Sequence, residues 1–301
     1  MAIRENRLAL SDQRRRSDAA DAANAADVAH TFADAMTDAP TKPSKPTLIT
    51  VDVGNNPARC RMLIYHKGLE EQIDLKTPGD FGGTSSASYR ALNPQGKIPV
   101  LLLPDGTAFF EARVILNYLA EKYADVGPAV GAATPEERAL AAMITQVHDI
   151  YIASPNSSDP SVTATQGAMY KGVDAIDAAS RAAKFAELDK QLDVLESLLS
   201  KEGPYAAGAS LTEADFSLYP TVCVFIWHML PAMYGWPNPL WPGRRPKLFE
   251  WQEKVSALPA AQRVRKEVMA GIEAWVTAKR FDPIKEQIAA HPELKWVFGR
   301  E

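Results

Sequence analysis

Side chains able to do chemistry concentrate in three places along this 301-residue chain. The first is Gly54-Asn55-Asn56-Pro57, which follows a β-branched run. An amide NH2 donates a hydrogen bond to an anion without acting as a base. The same letters also suit plain helix initiation, since Asn caps helices well and Pro is tolerated in the first turn. The second place spans Gln95, Lys97, Ile98 and Pro99 and, further on, Glu111-Ala112-Arg113. Here an ammonium and a carboxylate flank a short apolar hairpin, although an acid at a helix start is also favoured by the helix macrodipole alone. The third is His148-Asp149, which invites a general-base pair; residues adjacent in sequence do not face each other on a helix, so no pair is expected. Cys60 and Cys223 each sit in a helical pattern outside any CxxC spacing, so no disulfide framework, dithiol or metal site is indicated. A reducing, cytoplasmic setting fits them.

The elements that must position these residues read from the periodicity. Thr47 to Val53 predicts a strand, Ala58 to His66 a helix stopped by Gly68, and Glu71 to Leu75 a second strand. Ser88 to Leu92 predicts a helical turn. Val100 to Leu103 and Thr107 to Phe110 flank Pro104-Asp105-Gly106, whose turn chemistry closes a β-hairpin. Pro99 stands just before the first hairpin strand, where it costs no ladder bond and can take a cis peptide. From Glu111 the period changes, and Val114, Ile115, Tyr118 and Leu119 define one helical face. Residues 47–124 thus run β-α-β-α-β-β-α, the thioredoxin-like order.

Residues 125–134 form a Gly- and Pro-containing linker, and 135–280 are helical throughout. Apolar faces run through Leu140–Tyr151, Phe185–Leu199, Phe249–Leu258 and Val264–Trp275. Between them, Thr212 and Asp215 make a capping box for a helix apolar on most of its circumference, which should be central. Residues 281–301 read as an extension with apolar points at Ile284, Ile288, Leu294, Trp296, Val297 and Phe298. Residues 1–46 are rich in Ala, Arg and Asp. They read equally as a weakly amphipathic arm, with Val28, Phe32 and Met36 four apart, or as a disordered tail, and their acids argue against a transit peptide. The charge balance, 33 basic against 37 acidic residues, leaves no electrostatic footprint for nucleic acid, and no apolar run approaches a membrane span.

In this order the chain resembles the cytosolic glutathione transferases. Ile98-Pro99 is similar to their Val/Ile-Pro pair, Glu111-Ala112-Arg113 to their Glu-Ser or Gln-Thr-Arg element, and Thr212–Asp215 to the box opening their buried helix. The resemblance implies an α/β thioredoxin-like N-terminal domain followed by an all-α helical-bundle domain. It also implies a homodimer and glutathione as co-substrate. Glu111 would receive the γ-glutamyl ammonium, Ala112 N–H its carboxylate, Ile98 the cysteinyl backbone and Lys97 the glycyl carboxylate, with Gln95 and Arg113 as further contacts. Arg113 is alternatively a subunit contact. The loop after the first strand departs from the family: the usual Ser or Cys position falls at Gly54, and the nearest likeness is to nu-like members with Asn at the position of Asn56. Asn56 is therefore the expected sulfur contact, with Asn55 as its substitute. Tyr151, His148 and Asn156 would line an acceptor pocket, with Trp227, Tyr234 and Trp236 as further candidates.

The function so implied is conjugation or reduction of electrophilic or peroxidic molecules by glutathione thiolate. Two alternatives go with the atypical loop: a non-catalytic binding or assembly protein of the same fold, and a glutathione-dependent disulfide reductase.

Overall fold

The computed structural model describes residues 42–153 and 166–296. Val28, Phe32 and Met36 of the expected arm, Asn156, and the terminal Val297 and Phe298 lie outside them.

Four short strands, β1 (Thr47–Ile49), β2 (Asp74–Lys76), β3 (Val100–Leu102) and β4 (Ala108–Phe110), form one sheet in the order β2-β1-β3-β4. β1 runs parallel to β2 and antiparallel to β3, and β3 and β4 are the expected hairpin. Strand alternation divides the sheet between two apolar layers. Leu48 and Leu101 join the large core with α1 (Asn55–Lys67) and α3 (Ala112–Lys122). Ile49, Val100 and Leu102 turn the other way, toward Tyr89 and Leu92 of α2 (Ala87–Leu92). The Ile98–Pro99 peptide is cis.

β1 is shorter than its β-branched run predicts. Arg61 of α1, only 1% exposed, takes the acceptors beyond Ile49. Its guanidinium donates to Thr50 Oγ1 at 2.6 Å, to the Val51 carbonyl and to the Asp52 carbonyl at 2.9 Å. α1 in turn starts earlier than predicted, at Asn55, with Gly54 as its N-cap and Gly68 as its left-handed C-cap. Neither asparagine is therefore the cap.

The second domain is helical: α4 (Pro135–Val147), α5 (Ala178–Leu198), α6 (Glu213–Tyr234), α7 (Pro246–Ser256), α8 (Pro259–Thr277) and α9 (Asp282–Ala290). Capping boxes open α4 at Thr134/Glu137 and α6 at Thr212/Asp215. Asp215 also accepts from the Trp251 indole at 2.8 Å, tying the central helix to α7. Contrary to the expectation from its sequence, α6 is long and apolar enough to cross a membrane by length and composition. It is mostly buried among the other helices, as a core helix is. Two stretches wind more widely, with π-type pitch: His148–Ile152, which continues α4, and Tyr219–Ile226 inside α6. The second contains Pro220, which has no N–H to give an ordinary turn. α8 lies against α1 and the β1–α1 loop. Glu267 accepts from Arg61 at 2.9 Å and Tyr65 at 2.8 Å, and a Cβ on Gly271 would fall 2.3 Å from that of Val53.

Candidate functional site

The starts of two helices are linked through one side chain. The thiol of Cys60, on the second turn of α1, lies 3.5 Å from the Ala112 carbonyl at the start of α3 and 3.9 Å from that of Asn56. The predicted sulfur-contacting and amino-acid-binding residues are thereby brought together, although 55 positions separate them in sequence. The first-turn N–H groups of a helix have no partner within it, and two such ends side by side favour an anion. Pro57 removes one donor, and Ala58 N–H is returned to the Gly54 carbonyl at 3.0 Å, so α1 contributes Asn55 and Asn56. Cys60 itself is fully buried. Burial pushes its thiol up to about 12, against the pull of Arg59 and Arg61, so it is no nucleophile.

At Gly54, where the resemblance implies a hydroxyl or thiol, there is no room for a side chain. A Cβ there would stand 2.8 Å from Pro57 Cγ and 3.3 Å from Val51 Cγ2. The Pro57 ring fills the space that a side chain at 54 would need.

The α3 side is made by the loop ahead of β3 and by a strained helix start. Tyr89 Oη and Asn93 Nδ2 both donate to the Lys97 carbonyl at 2.8 Å, which fixes the chain just before Ile98. The β3–β4 ladder begins only at Val100, leaving Ile98 outside it. Glu111 has φ 69 and ψ 113, a region costly for any residue with a Cβ, and its exposed carboxylate receives Gln95 Nε2 at 3.3 Å. Gln95 and Glu111 are thus neighbours. Arg113 is not with them: Nε and Nη2 hold Glu213 at 2.9 and 3.0 Å, and Nη1 holds Gln146 at 3.0 Å. Its planar fork ties α3 to α4 and α6 instead of facing a ligand.

The two asparagines have different partners. Asn55 Nδ2 donates to Thr221 Oγ1 of α6 at 3.0 Å, so one of its two amide hydrogens is directed at the second domain. Asn56 Oδ1 accepts from Arg59 Nη2 at 2.8 Å. Arg has donors only, so the Asn56 oxygen must face it and the NH2 is the half left to donate. Arg59, 5% exposed, continues to Asp149 Oδ1 at 2.7 Å and Ser217 Oγ at 3.2 Å.

His148 and Asp149 do face each other, contrary to expectation. His148 Nδ1 lies 2.9 Å from Asp149 Oδ1, because the wide turn beginning there rotates each residue less about the axis. His148 Nε2 lies 2.8 Å from Thr221 Oγ1. The imidazole is buried with both nitrogens occupied and does not line an open acceptor pocket, which corrects its predicted place. Burial drives its pKa below the ordinary histidine range, with the Asp149 hydrogen bond opposing. Burial would raise Asp149, but the His148 hydrogen bond and the Arg59 charge outweigh it and hold the carboxyl down to about 2. Tyr151 is 47% exposed, and Asn156 falls outside the described residues. Trp227 lies under Arg265, and Tyr234 and Trp236 pack on Phe185, which makes them helix-bundle contacts.

The signal that sequence reasoning passed over was the pair Arg59 and Arg61, two cations inside a helix otherwise packed on an apolar core. A separate cavity of about 460 Å³ opens beside Leu199, Tyr205, Lys247 and Trp251, and none of the site residues lines it.

Residues 55–122 match the family model described as glutathione S-transferase, N-terminal domain, and residues 178–253 match glutathione S-transferase, C-terminal domain. Glutathione S-transferase 3 of Zea mays is 31% identical over 69% of this chain and 87% of its own length. Glutathione S-transferase F10 of Arabidopsis thaliana is 34% identical over 54% of this chain and 73% of its own. The solved structure of glutathione S-transferase III in apo form aligns with TM-score 0.55 and 26% identity, covering 73% of this chain and 95% of that one.

Proposed function

Because this chain belongs to the glutathione S-transferase family, we propose that it transfers glutathione to electrophilic small molecules, with Asn56 as the donor to the sulfur. The observation carrying this reading is the Asn56 amide, whose oxygen is held by Arg59 at 2.8 Å so that its NH2 remains as the donor beside the paired helix starts. Glutathione's thiol loses its proton to solvent, since an amide NH2 cannot accept it. The thiolate is stabilised by Asn56 Nδ2 and the N–H groups of Asn55 and Asn56. It then forms the new bond to the electrophilic atom, whose leaving group departs with the electron pair. The protein's part is orientation and preorganised charge stabilisation.

Glu111 takes the ligand's ammonium, Ala112 N–H its carboxylate, Ile98 its cysteinyl backbone and Lys97 its glycyl carboxylate. Gln95 supports this by holding Glu111. The likeness to nu-like members rests on Asn56 alone. Two copies pair through the surface around α3 and α4. Val114, Met143 and Ile150 there are about half exposed, and the Arg113–Gln146 bond lays the two helices together.

Asn56→Ala tests the reading. The thiolate absorbance of bound glutathione, titrated with pH, should give a thiol below the free value of about 8.5 in the wild type. The variant should raise it by about one unit and lower kcat with a general electrophile by about tenfold or more. An unchanged titration and kcat would remove Asn56 from the site. A wild type that neither binds glutathione nor turns over would overturn the reading, whereas one that binds glutathione without turnover would support the binding-protein alternative.

A further inference from the structure

The first turn of α1 is held by a chain of hydrogen bonds whose every direction is dictated by chemistry. Arg59 can only donate, and ionised Asp149 can only accept. His148 Nδ1, 2.9 Å from the same carboxylate oxygen, must therefore carry a hydrogen. In the neutral, buried imidazole, Nε2 is then a bare acceptor, and the Thr221 hydroxyl at 2.8 Å must donate to it. The Thr221 oxygen is left as an acceptor, which Asn55 Nδ2 meets at 3.0 Å. At the other end, Arg59 fixes the Asn56 amide oxygen at 2.8 Å. The chain starts on Asn56 and ends on Asn55, passing through Arg59 and three residues of the second domain.

We propose that Asp149, His148 and Thr221 are positioning residues, which hold the first turn of α1 and, through Arg59, turn the Asn56 amide so that its NH2 donates to the glutathione sulfur. This rests on the reading that Asn56 meets the sulfur. α1 has no side-chain cap of its own, and Arg61 occupies the Thr50 hydroxyl and the Asp52 carbonyl in the loop before the helix, so the first turn depends on contacts from outside. Among the described residues, His148 and Asp149 open one wide helical turn of the second domain and Thr221 lies in another. Such turns re-aim side chains at the expense of regular pairing and are frequent at functional sites. Thr221 and His148 are fully buried, so the middle of the chain is shielded from competing water.

The test is Thr221→Val, which replaces the hydroxyl by a methyl of similar size, with Thr221→Ser as the conservative variant. Asn55→Ala cuts the same link from a partly exposed position, and serves if Thr221→Val does not fold. Each is compared with wild type and Asn56→Ala by the pH titration of the bound thiol, by glutathione Kd and by kcat. Expected for Thr221→Val and Asn55→Ala is a thiol pKa raised by about half a unit or more. With it kcat falls about five- to tenfold near pH 6.5, with Kd within about twofold of wild type. Thr221→Ser restores both within about twofold. The proposal is overturned if the folded variants keep the wild-type thiol pKa, whether kcat is unchanged or falls through weaker binding alone. It is equally overturned if Ser fails to rescue. If Asn56→Ala itself leaves the thiol unchanged, the reading of Asn56 is what fails; if it shifts the thiol and the other variants do not, only the positioning role fails.

Discussion

Replacing Asp149 by Asn keeps the shape of the side chain and removes one charge from the interface between the two domains. The Arg59 guanidinium, whose side chain is 6% exposed, is then left with Ser217 and Asn56 and no anion, while its Nε already lacks a partner. Asp149 is held down to about 2 from an ordinary 3.8. Its folded value is depressed, so the linked stability is present above the unfolded pKa and is lost as pH falls through the folded one. The shift corresponds to roughly 2 kcal/mol at pH 7, falling to about 1 kcal/mol at pH 3. The carboxylate is 23% exposed, so solvent screening is modest, and loss of the anion beside a buried cation adds to the linkage figure. The expected cost of Asp149→Asn is therefore roughly 2–3 kcal/mol at pH 7. Urea unfolding of wild type and variant at pH 7, 5 and 3, followed by tryptophan fluorescence and circular dichroism together, measures the difference. It should be flat from pH 7 to 5 and shrink by about half at pH 3. A cost below about 0.5 kcal/mol at pH 7 would mean the pair behaves as an ordinary surface ion pair, and a cost that does not shrink at pH 3 would mean the carboxylate charge is not its source.

Glu111 separates binding from stability. Glu111→Ala keeps the costly φ and should weaken glutathione binding about tenfold with no gain in stability, whereas Glu111→Gly should weaken binding equally while unfolding up to about 1 kcal/mol later. Equal stability of the two variants in calorimetry would show that φ 69 carries no strain. Cys60 and Cys223 are both buried, with burial raising both thiols. Neither should react with a chromogenic disulfide reagent until the protein unfolds, and Cys60→Ala with Cys223→Ala should retain glutathione-dependent turnover within about twofold. Rapid labelling in the native state, or loss of turnover in the double variant, would contradict this assignment.

Local chemistry made much of the fold legible in the letters alone. Gly68 stops α1 because only the left-handed conformation satisfies its last carbonyls, and Pro104-Asp105-Gly106 closes the hairpin with Gly106 at φ 96. Thr212 and Asp215 open the central helix through bonds spanning three residues. Each of these acts over less than two turns of chain, so sequence by itself determined the order of elements, most of their ends and the residue types gathered at the α1 and α3 starts. The tertiary structure alone decided which partners those residues have. Asn55 and Asn56 are the same amide one position apart. Their division of labour comes from Thr221, 166 residues away, and from Arg59, whose own orientation is set by Asp149, 90 residues on. Arg113 reads as a ligand contact in its motif and becomes a domain tie because Glu213 stands opposite it, 100 residues later. Periodicity reports which face of an element is apolar, and it is silent on which polar group from another element will face a given donor. At this site the direction of a donated hydrogen depends on that pairing, so packing of the helical domain against α1 decided which way each amide points.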